Sequence, residues 1–120
     1  MRQGLGKKLL TLFLGAIVCL FALQLPAQAD GGDAAHGAQI FAANCAACHI
    51  NGGNVVNGQK TLKKEALTSY LKDFSDKGAD AIAYQVTNGK AAMPAFKGRL
   101  SDKDIADVAA YVFDKAEKGW

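Results

Sequence analysis

The sequence predicts an all-α fold of four to five helices, and three observations carry that reading. Apolar residues recur at helical spacing in several separate stretches. Helix-start and helix-stop residues bracket those stretches. Strand signals are weak throughout, with no internal repeat and no low-complexity tract.

The first residues are read apart from the fold. Arg2, Lys7 and Lys8 form a positive start, Leu9 to Leu25 an uncharged apolar run, and Pro26 breaks it before Ala27-Gln28-Ala29. This is the pattern of a secretory signal peptide with an A-x-A cleavage site. The run approaches the length of a membrane anchor, but Pro26 and the small-residue triplet favour cleavage after Ala29. The expected organisation is a signal peptide over 1–29 and a single domain over 30–120. Cleavage removes three of the fourteen basic residues, leaving eleven against eleven acidic ones, so the domain is formally neutral. No basic stripe is present, which excludes the nucleic-acid class. A domain this short often leans on a staple or a cofactor.

The helices are justified in order. The first runs from about Asp33, a fitting N-cap, to Asn44, with Gly37, Ile40, Phe41 and Asn44 on one face. Gly37 in mid-helix costs about 1 kcal/mol relative to alanine, which implies another backbone close by. Residues 50–60 hold three glycines and three asparagines and read as a loop. A second helix is expected over Leu62 to Phe74, with Leu67, Tyr70, Leu71 and Phe74 inward. A third runs over Ala79 to Asn88, with Ile82 and Val86 inward and Gly89 as its stop. An extended loop, Lys90 to Arg99, follows. The last helix starts at the N-cap Ser101, with Asp104 three residues on, a Leu100/Ile105 staple, and a stripe of Ile105, Val108, Ala109 and Val112.

The chemistry sits in Cys45-Ala46-Ala47-Cys48-His49. C-x-x-C-H is the attachment signature for a covalent haem. Two cysteines three apart on a helical turn each reach one vinyl group of the same porphyrin. The adjacent His49 is then held beneath the iron as an axial ligand. A thioredoxin-like dithiol would require a βαβ setting, and a zinc site four ligands at other spacings. A plain disulfide accounts for neither His49 nor the exported helical setting. Cys19 leaves with the signal peptide.

Met93 is the methionine that remains after cleavage, in Ala91-Ala92-Met93-Pro94-Ala95-Phe96. Pro94 biases it toward an extended conformation, which suits a thioether held at a set place. A methionine usually fills a core gap; beside a C-x-x-C-H motif, the ligand reading prevails. His36, the rival ligand, lies on the helix leading into the attachment site and is read as an exposed helix residue. Axial His49 and Met93 would raise the reduction potential. Both axial positions would then be closed, which favours outer-sphere electron transfer over catalysis.

These residues resemble the class I cytochromes c, and among them the cytochrome c6 family. "GAQIFAANCAACH" is similar to the family's first helix and haem site. "YQVTNGKAAMPAFKGRLSDKDIADVAAYV" and the closing "AEKGW" are similar to its distal loop and final helix. The resemblance implies a class I cytochrome c fold around one covalent haem c, with Cys45 and Cys48 as thioethers and His49 and Met93 axial. It implies that Gly37 and Phe41 cross Val108 and Tyr111. It places Gln85 near the haem, where it affects the potential, and Arg99 at a docking surface; Lys97 stands beside it in sequence. The stretch Lys72 to Asp80 is longer than the resemblance leads one to expect.

The expected function is single-electron transfer, not enzymatic catalysis. The resemblance implies transient contact with the cytochrome b6f complex and photosystem I, with a terminal oxidase as a second acceptor. The protein is expected as a monomer in the thylakoid lumen or periplasm, meeting membranes only through those complexes. Alternatives are a respiratory cytochrome c serving an oxidase, and a haem sensor or enzyme with an open sixth position.

Overall fold

The computed structural model describes residues 31–120. The signal-peptide reading and its cleavage site lie outside the described residues. Among the described residues the chain forms six α-helical segments and no strand. They are α1 (Ala34–Asn44), α2 (Ala46–His49), α3 (Lys64–Tyr70), α4 (Phe74–Lys77), α5 (Ala79–Asn88) and α6 (Asp102–Lys118), with a 3-10 turn, Ile50–Gly52, after α2. The expected four to five helices are present; α2 and α4 are additional single turns.

Helix α1 begins where Asp33 Oδ1 accepts hydrogen bonds from the Ala35 and His36 amides at 2.9 and 3.1 Å. Helix α6 begins at Ser101, whose Oγ accepts from the Asp104 amide at 3.0 Å. These two helices cross and form the frame of the domain. Gly37 is buried at the crossing, and a Cβ there would overlap the carbonyl oxygen of Asp107. The backbones therefore touch, which is what a mid-helix glycine permits. Phe41 packs one turn on, its ring centroid 5.3 Å from that of Tyr111. The α6 stripe of Ile105, Val108, Ala109 and Val112 is buried beneath, and Val86 of α5 and Phe96 join the same core. Each of the Val, Ile and Phe side chains adds about 1.5–3 kcal/mol by leaving water.

The expected second helix is corrected. It stops at Tyr70, Leu71 is extended, and Asp73 takes φ +63° before α4 restarts at Phe74. Asp is one of the few residues that accept the left-handed region, because its short side chain bonds locally. The single turn α4 and its flanking residues fill the 72–80 stretch. The break also rotates the apolar stripe. Leu67 and Phe74 stay buried, but Tyr70 faces out, with the Lys60 ammonium 5.7 Å above its ring.

His36 is partly exposed on its helix, as expected, with its side chain 42 % accessible, but it is not free: its Nδ1 lies 2.7 Å from Asp107 Oδ2. The Gly37 crossing brings residue 36 alongside 107. Asp107 also accepts from Lys103 Nζ at 2.6 Å and from the Asp33 amide at 2.7 Å. The carboxylate is 2 % exposed, yet its cover is thin, consisting largely of the outward-reaching Lys103 and the half-buried His36. The Lys103 hydrogen bond, then that of His36, holds the Asp107 carboxyl down at about 2.

A lowered carboxyl value stabilises the fold above the ordinary Asp range, and this contribution is lost as pH falls through the folded value. Melting followed by circular dichroism should therefore show stability falling between about pH 4 and pH 2. In Asp107→Asn the protein should be less stable at neutral pH, with a flatter profile across that window.

Candidate functional site

One turn of chain presents the motif. Cys45 ends α1, its amide donating to the Phe41 carbonyl at 2.9 Å. Its own carbonyl then accepts from the amides of Cys48 and His49, at 3.2 and 2.9 Å. Residues 45, 48 and 49 are thus carried on one tight turn. Cys45 is half-buried and Cys48 exposed, both as free thiols. Burial, with the neighbouring Cys48 as the smaller cause, pushes the Cys45 thiol up to about 11.

The chain then doubles back. Asn51 and Gly52 take φ +50° and +75°, a left-handed pair that returns the backbone beneath the motif. As a result the Gly53 carbonyl lies 2.8 Å from His49 Nδ1. A carbonyl only accepts, so Nδ1 carries the proton and Nε2 keeps its lone pair. The Val55 amide donates to the Cys48 carbonyl at 3.0 Å and closes the loop.

Met93 sits in a separate loop that its own backbone ties down. The Lys90 and Met93 amides and carbonyls bond reciprocally, both at 3.0 Å. Gly89, at φ +67°, turns the chain into this loop, and a Cβ there would stand 2.6 Å from both the Met93 carbonyl oxygen and the Ala95 amide nitrogen. The Phe96 amide donates to the Val86 carbonyl at 2.9 Å, tying the loop back to α5. Gln85 Nε2 points at Met93 Sδ from 4.0 Å, the outer reach of an N–H to sulfur contact. Met93 itself is half-buried at the edge of the core. Lys97 and Arg99 follow on the exposed strand of loop, Arg99 with its guanidinium 5.2 Å above the Phe96 ring.

The residues fit a haem c. Two free thiols stand a turn apart, and the imidazole beside them has its second nitrogen engaged by a backbone carbonyl, leaving Nε2 for a metal. Large apolar side chains lie open in the loop after the motif: Ile50, Val55 and Val56 are each more than 60 % exposed. Such side chains suit an apolar macrocycle better than water.

Two residues with long-range contacts were missed by sequence reasoning. Asp107 is an acid inside the apolar stripe of α6, which is the one signal that pointed to it. Trp120 is the sole tryptophan, and its Nε1 donates to the Leu62 carbonyl at 2.8 Å.

Comparison with known proteins agrees with this geometry. Residues 32–112 match the family described as "Cytochrome C oxidase, cbb3-type, subunit III". Cytochrome c6 of Limnospira maxima is 64 % identical over 89 residues, covering 74 % of this chain and all of that protein. Cytochrome c6 of Leptolyngbya boryana is 65 % identical over 88 residues, 73 % of this chain and 99 % of that one. The crystal structure of cytochrome c6 from the diatom Phaeodactylum tricornutum superposes with a TM-score of 0.70 at 58 % identity, covering 74 % of this chain and all of that one.

The fold and the motif therefore define a class I cytochrome c, an electron carrier rather than an enzyme, with one covalently bound haem c. Within that class, the chain belongs to the cytochrome c6 family.

Gly89→Ala should destabilise the Met93 loop by about 2 kcal/mol, from a non-glycine residue at positive φ and from the overlap with 93–95. Denaturant melting of the haem-loaded protein measures this.

Proposed function

We propose that Cys45 and Cys48 hold the haem through thioethers, that His49 Nε2 and Met93 Sδ are its axial ligands, and that Gln85 tunes the thioether. The observation that carries this is the 2.8 Å contact between His49 Nδ1 and the Gly53 carbonyl, which selects Nε2 as the coordinating nitrogen. Bound haem supplies a reversible one-electron Fe(III)/Fe(II) couple. With His49 and Met93 both holding the iron, the chain's own residues would leave no position for substrate or water, and electron transfer would proceed through contact at the protein surface.

The reading extends to partners. The protein is exported by cleavage after Ala29 to the thylakoid lumen or periplasm. There it accepts an electron from the cytochrome b6f complex and delivers it to photosystem I. Kinship with cyanobacterial cytochromes c6 supports this route. A terminal oxidase is a second acceptor on this reading, since an electron carrier with closed axial positions passes electrons to any partner that docks at its surface. Turnover requires a small, fast-dissociating interface. The exposed Lys97 and Arg99 beside the Met93 loop supply the charge that steers a partner there.

Visible spectra before and after acid–acetone extraction test the assignment. Haem should stay with the polypeptide, and the oxidised protein should show the weak red band of Met–Fe(III) ligation. Met93→Ala should lose that band and bind carbon monoxide when reduced; a parent protein that already binds it would refute Met93 ligation.

Gln85→Val removes an N–H aimed at the sulfur. The thioether then donates more freely to Fe(III), so the reduction potential should fall in a voltammetric titration.

Arg99→Glu should slow electron donation to isolated photosystem I particles. The difference from the parent should shrink as added salt shortens the screening length, which is about 10 Å at 0.1 M.

A further inference from the structure

The residue of interest is Trp120, which lies outside the haem motif and outside the Met93 loop. Its indole is held firmly by the helix crossing. The ring centroid stands 5.4 Å from that of Phe41 and 6.0 Å from that of Tyr111, the latter edge-on at 87°. The Lys115 ammonium lies 5.7 Å over the ring.

The same indole touches the proximal loop at two places. Its Nε1 donates to the Leu62 carbonyl at 2.8 Å. Its face lies against Gly52, which is buried and at φ +75°, and a Cβ there would overlap the ring. These two contact points are themselves joined, since the Leu62 amide donates to the Gly52 carbonyl at 2.7 Å. Gly52 is thus clamped on its carbonyl side and on its Cα side. The next residue is Gly53, whose amide donates to the Ile50 carbonyl at 2.9 Å and whose carbonyl faces His49 Nδ1 at 2.8 Å.

We propose that Trp120 is a positioning residue for the proximal imidazole: by clamping Gly52 and Leu62 it holds the Gly53 carbonyl on His49 Nδ1 and so sets the donor strength of His49 toward iron. The inference rests on the assignment of His49 as an axial ligand. The physical link is the orienting hydrogen bond. An acceptor on the far nitrogen fixes the tautomer and makes the imidazole a stronger donor. A stronger donor favours Fe(III) and lowers the reduction potential. A loosened carbonyl does the reverse.

The test uses the haem-loaded full chain with tryptophan at position 120, with Trp120→Phe, and with β-(3-benzothienyl)alanine at 120, which keeps the bicyclic shape and lacks only the N–H. The exchange rate of the His49 Nδ1 proton is read by NMR in the reduced state, alongside the reduction potential and the melting temperature. Both replacements should speed that exchange about fivefold, the ratio equivalent to one net hydrogen bond. Both should also raise the potential while the spectrum stays six-coordinate. If the melting temperature falls but exchange and potential do not move, Trp120 only packs and the proposal is overturned. If the parent protein shows no iron-bound His49 resonance, the ligand assignment itself fails, and this inference with it.

Discussion

The contact on which the rest of the structure depends is the backbone crossing of α1 and α6 at Gly37. A helix carrying Cβ atoms at that point stands off by the width of a side chain. Here the Asp107 carbonyl occupies the space that a Cβ would take. The close approach lets Phe41 reach Tyr111 and brings His36 to Asp107. It also aims the end of α1 so that Cys45, Cys48 and His49 emerge on the following turn. The position of the haem motif thus depends on one small residue eight positions before Cys45.

The site is built from two loops of opposite character. The loop after His49 is held by backbone hydrogen bonds and by two left-handed residues, and its apolar side chains point outward. The loop around Met93 is short, pinned by the reciprocal Lys90–Met93 bonds and by Phe96 to α5. A side chain carried on the second, Met93, is placed by main-chain geometry, which would suit a thioether with no charge to guide it.

Charge is spent sparingly in this fold. Among the described residues, Asp107 is the one buried ionised side chain, and Lys103, His36 and the Asp33 amide satisfy it. A buried carboxylate without such partners would cost several kcal/mol. With them it locks the start of α1 to the middle of α6 in one register. The remaining pairs, such as Lys64–Glu117 and Lys118–Asp114, lie on the surface and contribute little.

Much of the site was legible in the sequence because its parts are local. The Cys45–His49 spacing, the Ser101 cap, the Gly89 stop and the Met93-Pro94 pair each act over a few residues, where covalent geometry leaves few choices. The amphipathic stripes of α1, α5 and α6 were legible for the same reason. The second helix was misread because the period of Leu67, Leu71 and Phe74 continues across a break. Asp73 is a residue type that tolerates the left-handed region, but that tolerance alone does not place a break there; the buried Phe74 that follows packs against Phe113 of the distant α6, with centroids 6.1 Å apart. The His36–Asp107 and Trp120–Leu62 contacts join residues more than fifty positions apart, and sequence spacing carries no information about such pairs. By itself the sequence determined the chemistry at the motif and the helices that flank it. Only the tertiary structure decided which distant side chains hold that chemistry in place, because contacts across the core follow from how helices pack and not from where they fall in the chain.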